Sequence, residues 1–207
     1  MEFDVSAVCA IVEYSSRTAE RQDKLSTRFN HLAEILCEAV TWAKLEGAEL
    51  VTAAHIQKTI YEKEQRMKLY EEKLDEMLEE NVIMIDTEGA EIGQINGLAV
   101  LDMGNYAFGN PSRITATTYV GKSGIVNIEK EARLSGQTHD KGVQIITGFL
   151  GQTYAQNFPL SLSCRVCFEQ NYNGIDGDSA SSTELYCILS SLAELPIRQD
   201  LAVTGSV

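Results

Sequence analysis

Around residue 80 the apolar pattern of this chain changes period, from the 3.6 of a helix to the 2 of a strand. One continuous helical bundle or one continuous sheet cannot satisfy both halves. Upstream, Val5, Val8, Cys9, Ile11 and Val12 share one helical face, and that helix ends near Ser15-Ser16. A second helix is predicted from Ser26 or Thr27, both good caps, through Leu32, Ile35, Leu36, Ala39, Val40 and Ala43 to a stop at Gly47. A third starts at Thr52 and runs through Ile56, Ile60, Met67, Leu74, Met77 and Leu78 without a Gly or Pro. Its far half, residues 71–80, is strongly acidic with a thin apolar stripe, the pattern of a solvated helix.

Beyond Asn81, the segments 82–85, 98–101, 114–120 and 125–128 read as strands separated by Gly and Asn. Two helices then alternate with strands. One covers about 140–156, the other about 179–194; the strand 160–168 lies between them, and another begins at Leu201. The expected architecture is a mixed α+β or α/β fold, with a helical domain over 1–80 followed by a domain of mixed sheet and helices over 81–207.

Composition removes several classes of function. The net charge of −13 lacks the basic footprint that phosphate backbones require, which argues against nucleic acid and against anionic membranes. No apolar run approaches a bilayer span, and Met1-Glu2-Phe3-Asp4 does not resemble a signal peptide. Five cysteines, an odd and scattered set, are not a disulfide framework, and a reducing, cytoplasmic location is expected. Cys164-x-x-Cys167 lies in a strand-like segment. Residues three apart there point to opposite faces, so a metal or redox pair is not expected.

The most chemically informative stretch is Asp176-Gly177-Asp178-Ser179-Ala180-Ser181, where a strand passes through a Gly-containing loop into a helix. A serine at the first turn of a helix sits where unpaired N–H groups and the positive end of the helix dipole converge, which favours negative charge developing on a substrate carbonyl. Position alone favours a simpler role, an N-cap with Thr183 or Glu184 in the first turn and Asp176 and Asp178 as helix-start acids. A Ser-His-Asp set with His139 and either Asp176 or Asp140 is a competing arrangement. The G-x-S-x-G elbow fails, because Ser181 stands where its second glycine belongs.

The wider pattern bears on that choice. Glu169-Gln170-Asn171-Tyr172 followed by residues 174–182 resembles the nucleophile motif of Lon proteases, in their LonB-like branch. Gly93–Val100, Phe108–Ala116, Ser135–Val143 and Pro196–Val207 resemble further blocks of the same peptidase domain, in the same order. The resemblance implies a serine endopeptidase using a Ser–Lys dyad, with Ser179 as nucleophile, Asp176 as an acid near the lysine and Thr204 as a residue that positions the dyad. The family's lysine comes from a segment beyond the Thr204-Gly205-Ser206-Val207 match. The 207 residues alone are therefore expected to be inactive, and a non-catalytic oligomeric holding module is the alternative. A lysine serves as base only where burial or a nearby cation lowers its pKa.

Residues 1–80 resemble the small helical lid of an AAA+ ATPase. Arg28 is the candidate lid arginine that senses nucleotide phosphate, with Arg17 second. No G-x-x-x-x-G-K-[ST] loop occurs, so no bound ATP is expected on these residues themselves. For the intact protein the resemblance implies ATP with magnesium, unfolded polypeptide as substrate and a homo-hexameric ring. No metal site is expected.

Overall fold

The structure, a computed structural model, describes residues 1–104, 106–172 and 174–207. The chain divides into two compact units, Met1–Glu72 and Lys73–Val207.

The first unit contains β1 (Glu2–Phe3), α1 (Val5–Thr18), α2 (Phe29–Leu45), β2 (Leu50–Val51) and α3 (Ala53–Met67), with β1 and β2 paired in parallel. Asp4 starts α1 by accepting a hydrogen bond from Ala7 N at 2.8 Å. At the start of α3, His55 Nδ1 accepts from Thr52 N at 2.9 Å. Ile35, Ala39 and Ala43 form one buried row of α2, and the small Ala39 and Ala43 leave room for Ala7, Val51 and Ile56 in a common core. Ile56 is fully buried. Ile56→Ala is expected to cost this unit about 2–5 kcal/mol by leaving a cavity. Urea unfolding followed by Trp42 fluorescence measures it.

The long third helix predicted from Thr52 is in fact two. It breaks at Lys68, and α4 (Leu69–Glu79) follows. The break falls where the buried face of α3 ends, and no residue of α4 is buried. No glycine or proline marks it.

The second unit contains β3 (Ala90–Glu91), β4 (Gln94–Asp102), β5 (Ala107–Val120), β6 (Gly124–Asn127), α5 (Ile128–Glu131), α6 (Gln137–Tyr154), β7 (Leu162–Phe168), α7 (Ser181–Ala193), β8 (Ile197–Arg198) and β9 (Ala202–Val203). Five strands form a mixed sheet in the order β6-β7-β5-β4-β9, while β3 and β8 pair separately. Ile146 and Leu150 of α6 and Leu185, Cys187 and Ile188 of α7 join Ile95, Ile114, Cys164, Val166 and Phe168 of the sheet in one core. The chain is thus mixed helix and sheet. Among the described residues, no helix is long and apolar enough to cross a membrane.

Several expectations shift here. Residues 82–85 form no strand, because their backbone bonds instead to a side chain: Met84 N donates to Gln170 Oε1 at 2.7 Å, and Gln170 Nε2 donates to Val82 O at 2.9 Å. Strand β5 starts seven residues earlier than its apolar run. Pro111 is tolerated there because residues 107–113 pair only with β4, leaving the other side without a strand partner. Helix α6 begins at Gln137 and α7 at Ser181, while the last strand shortens to β9.

Candidate active site

Residues 169–180 connect β7 to α7, and the connection is pinned at three places. Ile175 N donates to Leu134 O, and Gly136 N donates to Ile175 O, each at 2.8 Å. The Asp176 carboxylate then accepts from Thr138 N at 3.1 Å and His139 N at 3.3 Å, covering the start of α6. The backbone N–H groups of Gly177 and His139 hold this carboxyl below its ordinary range. A Cβ on Gly136 would overlap the Asp176 carboxylate. Gly136→Ala is expected to push Asp176 off α6 and to raise amide exchange at Thr138 and His139, read by mass spectrometry.

Gly177, at φ +91°, makes the reversal that L residues avoid, and Asp178-Ser179-Ala180 then turn into α7. Ser181 N donates to Asp178 O at 3.0 Å, so the helix begins two residues after Ser179. The N-cap is Ala180, with no side-chain cap. Ser179 is therefore not the cap. It is exposed, and neither its hydroxyl nor the backbone N–H groups of Ser179 and Ala180 have a hydrogen-bond partner among the described residues.

The third pin is the segment after β9. Gly205 N donates to Ser179 O at 2.6 Å, and Thr204 Oγ1 donates to the same carbonyl at 3.2 Å. Ser182 N returns a bond to Gly205 O at 3.0 Å, Thr183 Oγ1 donates to Val203 O at 2.9 Å, and Val207 N donates to Ser181 Oγ at 3.0 Å. Residues 203–207 thus lie along the serine turn. The structure brings Thr204 to the backbone of Ser179, and it sets the Asp176 carboxylate against the first turn of α6.

His139 does not complete a triad. It is a helical residue, buried, with Nε2 3.5 Å from Glu184 Oε1 and its ring edge-on to Phe168 at 5.4 Å. Asp140 is bound to Ser135 at 2.6 Å and Lys130 at 3.4 Å. Glu169 is held by Arg113 of β5, whose Nε donates to it at 2.7 Å. Burial pushes the Cys164 thiol to about 12 and that of Cys167 to about 11, so neither supplies a thiolate near neutral pH. No group of three metal-ligating side chains is found among the described residues. In the first unit, Arg28 precedes α2, and Arg17 lies in the last turn of α1. Both are exposed, without an ion pair among the described residues.

The buried Glu184 and its neighbour Glu129 went unseen in the sequence. Glu184 reads locally as a first-turn helix acid, yet α7 turns it inward.

Residues 2–66 match the family described as archaeal LonB, AAA+ ATPase LID domain, so the first unit is of the AAA+ lid class. Curated relatives extend over the second unit. A putative Lon protease homolog of Escherichia coli (strain K12) is 43% identical over 141 residues, 67% of this chain and 24% of the relative. A putative Lon protease homolog of Haemophilus influenzae is 32% identical over 100% of this chain and 34% of its own length. An archaeal Lon protease of Pyrococcus abyssi is 30% identical over 99% of this chain and 20% of its own length. The chain belongs to the Lon protease family, in its LonB-like branch. It spans between 20% and 34% of the length of these relatives.

Proposed function

We propose that the intact protein is an ATP-dependent serine endopeptidase that degrades unfolded or damaged polypeptides in the cytoplasm. Residues 1–80 serve as the AAA+ lid and residues 81–207 as the body of the peptidase domain. The observation that carries this reading is the exposed, unpartnered Ser179 hydroxyl beside two unpaired backbone N–H groups at the entry to α7.

In this reading Ser179 Oγ attacks the scissile carbonyl and gives its proton to a neutral lysine. The resemblance assigns that lysine to the segment after Val207. The amides of Ser179 and Ala180 receive the negative charge that forms on the carbonyl oxygen. The tetrahedral adduct then expels the amine, which takes the proton from the lysine, and leaves an ester on Ser179. Water, deprotonated by the same lysine, hydrolyses the ester and restores the hydroxyl. Thr204 and Gly205 position the serine through its carbonyl, and Asp176 ties the turn to α6.

Bound ATP and magnesium would supply the energy of unfolding on an ATPase core. The exposed Arg28, without an acidic partner among the described residues, suits a guanidinium that reaches a phosphate from the lid. The peptidase units would assemble as a homo-hexameric ring.

A protein comprising the ATPase core and the full peptidase domain is expected to degrade an unfolded polypeptide only when ATP is present. A second reading, a non-catalytic oligomeric holding module, draws on the lack of a base at Ser179 among the described residues. It predicts stable capture of the polypeptide without fragments, and that outcome would displace the first.

A further inference from the structure

Between α6 and α7 the core encloses an acid and an imidazole that the chemistry above does not use. His139 and Glu184, each in the first turns of its helix, are 1% exposed, with Nε2 and Oε1 3.5 Å apart. Neither Glu184 oxygen nor His139 Nε2 has a hydrogen-bond partner among the described residues. A carboxylate buried without donors is unfavourable enough to take up a proton or to require a cation beside it. A buried imidazolium is disfavoured for the same reason. The arrangement that leaves no net charge in this space holds one proton between the two groups, whichever atom carries it.

Both residues are attached to the serine turn through their backbone amides. The His139 amide donates to the Asp176 carboxylate at 3.3 Å. Glu184 N donates to Ala180 O at 2.9 Å. The backbone of one residue thus meets the turn ahead of Ser179 and that of the other meets it behind. Building on the assignment of Ser179 as nucleophile, we propose that His139 and Glu184 share one proton and form a buried strut that positions the 176–180 turn.

The titratable groups facing the pair fit this reading. Burial first, and then Glu129 of α5, push the Glu184 carboxyl up to about 8. Burial lowers His139, against the opposing pull of Asp140 on α6 and Asp176 in the loop. Cys187, one turn along α7, faces Glu184 as a buried thiol pushed above its ordinary range.

The linkage has a definite shape. In the unfolded chain a glutamate releases its proton near pH ~4.3 and a histidine near ~6.5. Just below ~6.5 both states hold one proton, so the pair gives stability no slope there. From ~6.5 to about 8 the folded pair keeps its proton while the unfolded pair has lost it, so stability falls as pH rises. The unfolding equilibrium constant rises by up to about 30-fold across that window.

The test is urea-dependent hydrogen exchange of the full chain from pH 4 to 9, read peptide by peptide, so that the unit 73–207 and the segment 176–181 report separately. Comparing variants at each pH cancels intrinsic exchange rates. Glu184→Gln is expected to lose the fall above pH 6.5, and His139→Asn to shift its onset down towards 4.3. Above pH 8 the wild-type turn is expected to exchange faster than that of Glu184→Gln. A wild-type slope retained in Glu184→Gln overturns the proposal, as does a turn equally protected in both. A packing role alone would not move the pH profile. Neither readout needs a reactive serine: the profile persists in Ser179→Ala if the strut is real, whether or not Ser179 is the nucleophile.

Discussion

Ser179→Ala is expected to lower polypeptide cleavage by the intact protein by about 10⁴-fold or more, with substrate binding and ATP hydrolysis retained. Removing the hydroxyl removes the atom that forms the ester, and no other group is placed to replace it. Among the described residues, His139 faces Glu184, Asp140 is bound to Ser135 and Lys130, and burial keeps the thiols of Cys164 and Cys167 protonated. The fold should survive, because the Ser179 side chain makes no hydrogen bond among the described residues and is exposed. The turn's anchors are the Ser179 carbonyl and the Asp176 carboxylate, which the substitution leaves intact. Rates measured on a denatured polypeptide, with circular dichroism as a control for folding, decide this.

Gly93→Ala is expected to destabilise the second unit by about 3 kcal/mol or more, through strain and overpacking together. Gly93 lies at φ +66°, where an L side chain is strained, and its Cβ would come within 2.5 Å of the backbone carbonyl of Ala116. That carbonyl belongs to the central strand and has little freedom to withdraw. The same glycine organises α7: Gly93 N donates to Ser190 Oγ at 2.9 Å, Cys187 Sγ donates to Gly93 O at 3.1 Å, and Ala116 N donates to Gly93 O at 2.8 Å. Shifting it therefore disturbs the sheet and the helix that follows Ser179 together. Chemical denaturation of the wild type and the variant, followed by hydrogen exchange within 73–207, measures the loss.

Much of this architecture is legible in the sequence, wherever a local period decides the structure. Helices α1, α2 and α6 show apolar residues at helical spacing, and β7 shows the alternation that puts Cys164 inside and Cys167 on the other face. The order of strand, loop, serine and helix around Ser179 is equally visible. What escapes local reading is set by partners far along the chain. The apolar segment 82–85 fails to become a strand because Gln170, nearly ninety residues later, satisfies its backbone. Thr204 reaches the Ser179 carbonyl across 25 residues of sequence. Glu184 looks like any acid in a first helical turn, and its burial is decided by how α6 and α7 pack.

The most direct test of Ser179 as nucleophile is to trap the covalent intermediate. The intact protease is mixed with an activated peptide ester, quenched in acid within the first turnover and mapped by peptide mass spectrometry. An acyl group on the peptide that carries Ser179, absent from Ser179→Ala, is the predicted result. An acyl group on another residue, or cleavage that persists in Ser179→Ala, would contradict it.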